Sequence, residues 1–334
     1  EGVRDAVELV RELCNRVIEG FKETLSRLGV RFDQWDWESE IAVWSGAADT
    51  IINKISTLAP WALETQEGAL ILDVDKVSSN LGVKDEWGLP GKQIPKLTLK
   101  RADGTTLYTT RDIAYALWKL ERANKVINVI GVEQSLAQLQ LKIILKLLQV
   151  EDIQNRYVHY AYELVRLPGA KMSSRRGRYI ALDDLLNEAV ARVHREVEKR
   201  GPSLTEEEKR EIAEVVGTGA VRFALVNVTP SKTMTFDWDQ VINFERNSFP
   251  FINYTYVRAL GILRKSGFAP TLNVDVAKLI HDYERELVIQ MARYPELFVQ
   301  AAEELRPEIL TLFLNRLSEL FNSYYEKVNV IRER

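Results

Sequence analysis

The sequence predicts a mixed α/β fold: a partial doubly wound parallel sheet with a β-containing insertion, followed by an all-α helical bundle. Three observations carry that reading. Between Asp112 and Val165 the pattern alternates helix, strand, helix, strand, with apolar β-branched strands suited to burial on both faces. Beyond Asp183 helical periodicity runs almost to the C-terminus. Hydrophobic residues make up 46% of the 334 and charged residues 28%, enough for two or three domains with real cores.

Taken in order, residues 1–28 read as one amphipathic helix. Val7, Val10, Cys14, Val17, Ile18, Phe21, Leu25 and Leu28 recur at helical spacing, and Gly29 supplies the C-cap. Val30 to Trp37 then reads as a short strand, and Gly68 to Asp73 as another. Lys96–Lys100 and Thr105–Tyr108 flank Asp103-Gly104, a strong hairpin signal because a tight turn needs φ > 0 there. Asp112–Asn124 is predicted helical, Val126–Val132 extended, Ser135–Leu148 helical and Val158–Val165 extended. Thr205 and Glu208 form a capping box that opens a helix to about Val226, and Pro250-Phe251 starts a second helical block.

Composition excludes several classes. The net charge of -3 rules out a uniformly basic nucleic-acid coat but leaves room for a local patch. Cys14 is the single cysteine, so there is no internal disulfide and no Cys-rich zinc site; its neighbours Leu13 and Val17 suggest a core thiol. No apolar run reaches the roughly 18 residues of a membrane span, and the charged start lacks a signal-peptide core, which points to a cytoplasmic chain without membrane partners. No G-x-x-x-x-G-K-[ST] occurs, which excludes a P-loop NTPase.

The chemistry concentrates in a few segments. Gly169 to Arg178 holds Lys171, Met172, Ser173, Ser174 and Arg175, and its cations and hydroxyls suit polyphosphate; the bland alternative is a solvated basic turn. Tyr108 and Asp112 lie four apart where a hairpin meets a helix; Asp112 alone also fits a helix-capping pattern. Glu38 and Glu40 lie in Trp35-Asp36-Trp37-Glu38-Ser39-Glu40, where a lone Glu38 would be a solvated loop acid. Gly131, Glu133 and Gln134 follow an apolar strand, at the carboxyl end where ligands of doubly wound sheets collect, or alternatively mark an ordinary helix start. Tyr254 and Arg258 share a helical face, able to stack on a base and to hold a phosphate, or simply to pack.

In their order along the chain these segments resemble arginyl-tRNA synthetases, a family of class I aminoacyl-tRNA synthetases. The basic loop with the strand-like Tyr179–Leu182 and Asp183-Asp184-Leu185-Leu186 is similar to the KMSKS segment, Leu-Tyr-x-Thr-Arg-Asp to the arginine-holding segment, and Pro250–Leu260 to the opening of a DALR-type anticodon-binding domain. The resemblance implies a Rossmann-like catalytic domain over 1–180 with an insertion at about 41–107, a helical connector over 181–243 and a helical anticodon-binding domain over 244–334. It implies arginine binding by Glu38, Tyr108, Asp112 and Gln134. ATP would be held by Gly131, Glu133, Lys171, Met172, Ser173 and Ser174, with Lys171 and Ser174 catalytic, and tRNA by Arg175, Tyr254 and Arg258. Arginine, tRNA(Arg) and ATP with Mg²⁺ are then substrates, with no protein-bound structural metal.

Glu133 departs from the Asp-His or Asp-Gln of many class I relatives. The family's His-x-Gly-His segment is also absent, since His159, His194 and His281 lie in other settings. The expectation is therefore part of an arginine–tRNA ligase, completed by a missing N-terminal half that carries the segment. The alternative is a non-catalytic tRNA-binding or accessory protein that retains the fold. A cysteine-specific sister enzyme is disfavoured by the absence of zinc-ligand spacing.

Overall fold

A computed structural model describes residues 4–168, 180–267, 269, 271 and 275–331. In chain order the first elements are α1 (Arg4–Arg27), a π-helical turn (Ser39–Trp44), α2 (Ala47–Leu58), β1 (Leu63–Gln66), β2 (Ala69–Leu72), α3 (Val74–Asn80), α4 (Val83–Glu86) and β3 (Leu97–Lys100). Next come α5 (Tyr108–Leu120), β4 (Val126–Gly131), a 3₁₀ turn (Val132–Gln134), α6 (Ser135–Leu147), α7 (Ile153–Arg156), β5 (Tyr157–Tyr162) and β6 (Val165–Arg166). The rest is α8 (Leu182–Arg200), α9 (Glu206–Val226), β7 (Met234–Thr235), α10 (Trp238–Val241), α11 (Phe249–Ser266), α12 (Asp282–Ala292), α13 (Tyr294–Glu303) and α14 (Glu308–Lys327). These elements sort into two compact units, one over Phe32–Glu163 and one over Glu1–Arg31 with Leu164–Arg334.

The Phe32–Glu163 unit is built around one core. β4 and β5 pair in parallel from Val126↔Tyr157 to Gly131↔Tyr162. α6 buries Leu141, Ile143, Ile144 and Leu145 in that core, together with Ile113 of α5, Leu99 of β3 and Ile55 of α2. Each such side chain contributes about 1.5–3 kcal/mol by leaving water. β1, β2 and β3 form an antiparallel meander that continues the same core through Leu72, Leu97 and Leu99.

In the other unit α8 and α9 pack along each other. Gly217 makes that approach possible, because a Cβ there would lie 2.8 Å from the Val190 backbone. Leu186, Ala189, Val221 and Phe236 fill the interior, and Leu28 joins them from the end of α1. The capping box is present: the Glu208 N–H donates to Thr205 Oγ1 at 3.2 Å, and the Thr205 N–H donates to Glu208 Oε2 at 2.8 Å. A short parallel pair, β6 with β7, and the helices α11 to α14 complete it.

Four local expectations are corrected. No residue of α1 is fully buried; Cys14 is half-buried, and Leu9 and Leu13 are 69% and 62% exposed. Val30 to Trp37 is not a strand, because its polar groups turn to other work. The Trp37 carbonyl accepts from the N–H groups of Glu40 and Ile41, and Asp36 and the following Glu38 bond to side chains of α5. The Asp103-Gly104 turn forms, with Gly104 at φ 84°, but its return arm shrinks to one bridge, Lys100↔Thr106. Tyr108 begins α5 instead, and β3 takes β2 as its partner. Val158–Val165 divides into β5 and β6, since β6 pairs with β7 rather than extending the β4–β5 ladder.

Candidate active site

α5 carries Tyr108, Asp112, Tyr115 and Lys119 at spacings of four, three and four, which sets them on one helical face. A neighbouring stripe, Ile113, Ala116 and Leu120, is buried and fixes the helix against the core. Asp112 lies in the second turn, behind Leu107 as N-cap, so helix capping does not account for it.

The segment before the π-helical turn brings acids to this face. Tyr115 Oη donates to Asp36 Oδ2 at 2.5 Å. Arg111 Nη1 donates to Glu38 Oε1 at 3.0 Å and Nη2 to the Thr106 carbonyl at 2.8 Å, while its Nε is buried without a partner among the described residues. Glu38 therefore already holds a guanidinium of the chain itself.

Asp112 differs from Glu38. It is half-buried, and its carboxylate makes no hydrogen bond or ion pair among the described residues. Burial holds its carboxyl above the ordinary range; the charge of Glu38 adds to that, while Lys119 and Arg111 oppose it. Burial and the bond to Asp36 push the Tyr115 phenol up to about 12, so it stays a neutral donor. Tyr157 is raised as well, by burial and by the charge of Asp112. This cluster, termed the cup, thus offers one carboxylate unpaired among the described residues, beside a second acid and two phenols.

The remaining expected residues fall in several settings. Tyr108 stands one turn before Asp112 and is 58% exposed. Gln134 ends the 3₁₀ turn after β4, half-buried, with no side-chain hydrogen bond among the described residues. Glu133 folds its carboxylate over Gly131, where a Cβ would meet Oε2 at 2.3 Å; Gly131 itself has an ordinary φ of -58°. Lys171, Met172, Ser173, Ser174 and Arg175 lie outside the described residues. In the helical unit Arg258 stacks on Tyr254 at 4.4 Å and on Tyr325 at 5.0 Å, and its Nη1 donates to Asn322 Oδ1 at 3.0 Å. Asp36, Tyr115, Lys119, Asn128, Gln138 and Tyr157 were missed from the sequence. The four-three-four spacing from Tyr108 to Lys119 was a legible signal for two of them.

An α/β unit that gathers acids around one helix, in a chain that continues into helices, suits a class I synthetase, and comparison with known proteins shows that family. Residues 6–238 match the model for tRNA synthetases class I (R), catalytic domain, and residues 252–334 match the DALR anticodon binding domain. The arginine–tRNA ligase of Pyrobaculum islandicum is 44% identical over 332 residues, covering 99% of this chain and 52% of that protein. That of Ignicoccus hospitalis is 45% identical over 329 residues, covering 98% and 51%. The Thermus thermophilus arginyl-tRNA synthetase structure superposes with a TM-score of 0.80 at 27% identity, covering 96% of this chain and 57% of that one. The chain belongs to the class I arginyl-tRNA synthetase family. It spans about half the length of the curated relatives it matches.

Proposed function

We propose that the chain is the arginine-recognising and anticodon-binding part of an arginine–tRNA ligase, acting in the cytoplasm. The observation that carries this is the half-buried Asp112 carboxylate, unpaired in a cup that already holds the Arg111 guanidinium on Glu38. A guanidinium is a planar five-donor cation, best satisfied by carboxylates in a sheltered site, so arginine suits Asp112 better than lysine does. Tyr108 and Gln134 would complete its coordination, and Glu38 would join if Arg111 yields it.

ATP, carrying Mg²⁺ as counter-ion, would approach Gly131 and Glu133. Lys171, Met172, Ser173 and Ser174 would hold its phosphates. The arginine carboxylate attacks the α-phosphate and pyrophosphate leaves, and the arginyl group then passes to the tRNA 3′ end. Lys171 would stabilise the developing charge, a contribution of about 3 kcal/mol for one preorganised donor. Arg175, Tyr254 and Arg258 would serve tRNA. The assigned domains are 1–180, 181–243 and 244–334, and a His-x-Gly-His segment outside this sequence would grip the triphosphate.

Isothermal titration tests the central claim. Arginine is expected to bind in preference to lysine and citrulline; equal binding of all three, or none, by the folded chain sinks it. Arginine-dependent pyrophosphate exchange, restored on mixing with a polypeptide bearing the His-x-Gly-His segment, separates a ligase from a non-catalytic tRNA-binding relative.

A further inference from the structure

Lys119 has a setting that nothing in the arginine reading uses. Its ammonium is half-buried at the inner end of the α5 face that carries Tyr108, Asp112 and Tyr115. Nζ donates to Asn128 Oδ1 on β4 at 3.2 Å and lies 4.4 Å from the Tyr115 ring centroid and 5.9 Å from that of Tyr157. Asn128 Nδ2 in turn donates to Oε1 of the buried Gln138 on α6 at 3.0 Å, and Tyr157 Oη donates to the same oxygen at 3.3 Å. Two strands and a second helix thus hold one ammonium in place.

A long flexible cation on a solvated helix is ordinarily free, and its charge is screened. This one is anchored by a neutral amide and covered by rings. No carboxylate forms an ion pair with it among the described residues, so its field remains available to the acids around it. Burial works against the Lys119 charge and lowers its midpoint, while Asp112 on its own helix and Asp36 from the segment before the π-helical turn act electrostatically to keep it. The groups that face Asp112 are Glu38 from that same segment, Arg111 and Lys119 on α5, and Tyr157 on β5; Asn128 and Gln138 are neutral. Arg111 is already committed to Glu38 and Thr106. Of the two cations that act on Asp112, Lys119 is the one without a carboxylate partner among the described residues.

We propose that Lys119 is a positioning residue of the arginine site: its anchored ammonium keeps the Asp112 carboxylate in the ionised form that a guanidinium requires. This rests on reading the cup as an arginine site. The physical need is clear, because burial and Glu38 both disfavour the charged form of Asp112. Removing the ammonium raises the Asp112 midpoint further, so the loss appears as pH falls.

The test uses the whole chain with Lys119→Met, Lys119→Arg and Asn128→Ala, each checked for folding by thermal melt. Carboxyl carbon NMR, with the Asp112 signal identified by Asp112→Asn, follows the Asp112 midpoint without any ligand. The expected result is a higher midpoint in Lys119→Met, a wild-type midpoint in Lys119→Arg and an intermediate one in Asn128→Ala. Arginine titrated calorimetrically between pH 5 and 8 should bind Lys119→Met more weakly than wild type at the acid end, with the difference shrinking as pH rises and nearly gone at pH 8. Coincident midpoints, or an affinity loss equal at every pH, overturn the proposal. Failure of the arginine reading has its own signature: wild type then binds no arginine at any pH while the midpoints still separate, which removes the ligand from the proposal.

Discussion

The two units differ in what accompanies their cations. In Phe32–Glu163 acids are drawn into partial burial around α5, where Asp112 is left unsatisfied and the Tyr115 phenol is pushed up to about 12. Cations rest on aromatic rings in both units, Arg122 on Trp118 in the first, and among the described residues of the helical unit three arginines do so. Arg258 sits between Tyr254 and Tyr325, Arg192 stands 4.8 Å from the Trp238 ring and Arg200 4.6 Å from Phe244. Partial burial makes ionisation depend on neighbours and makes the site selective for one shape of counter-charge. Open stacking tolerates any base or phosphate that can approach a ring and a cation. In the proposed reading the first setting would discriminate between ligands and the second would accept a polyanion.

The largest expected effect tests what the discriminating unit rests on. Ile144→Ala removes a fully buried side chain from the core behind α5 and should cost about 2–5 kcal/mol, read as a lower denaturation midpoint. A smaller cost would mean that the cup is not held by that core.

Asp112→Asn should lower arginine affinity by about 1.5–3 kcal/mol in calorimetry, the range for a hydrogen bond to a charged group. Its effect on stability has the opposite sign. The folded midpoint of Asp112 is raised, so the folded chain holds the proton more tightly than the unfolded chain. Stability from this group therefore falls as pH rises from the ordinary carboxylate range through the raised midpoint, and the full penalty is present above it. The amide variant should melt at pH 7 no lower than wild type. A large drop in its melting temperature would make Asp112 a structural acid.

Arg258→Ala addresses the accepting unit. RNA affinity measured by filter binding should fall by about 1–3 kcal/mol if the Tyr254–Arg258–Tyr325 stack carries a base, with arginine binding unchanged. An unaltered RNA affinity would return that cluster to simple packing. The smallest effect is local: Thr205→Ala removes the capping box at α9 and should cost about 1 kcal/mol in chemical denaturation, leaving both ligands untouched.

Much of the framework was legible because it is local. Periodicity found α6, β4 and the body of α1, and the Thr205–Glu208 pair marked the start of α9 to the residue. The strand expected at Val30–Trp37 failed because a β-prone run becomes a strand only when another edge accepts it. The hairpin after Gly104 failed for a related reason: β3 found β2, and the return arm was consumed by α5. Of the cup, Asp112 and Glu38 could be read by resemblance, whereas Arg111 on Glu38 and Tyr115 on Asp36 could not.

The sequence by itself determined most of the helices, the strand β4 and the order of segments that marks the family. Tertiary structure alone decided how those acids are satisfied. Glu38 meets Arg111 across 73 positions and Asp36 meets Tyr115 across 79. No local period encodes such pairings, since they arise only when packing of a shared core brings distant segments within a few ångströms and removes the water that would otherwise screen them.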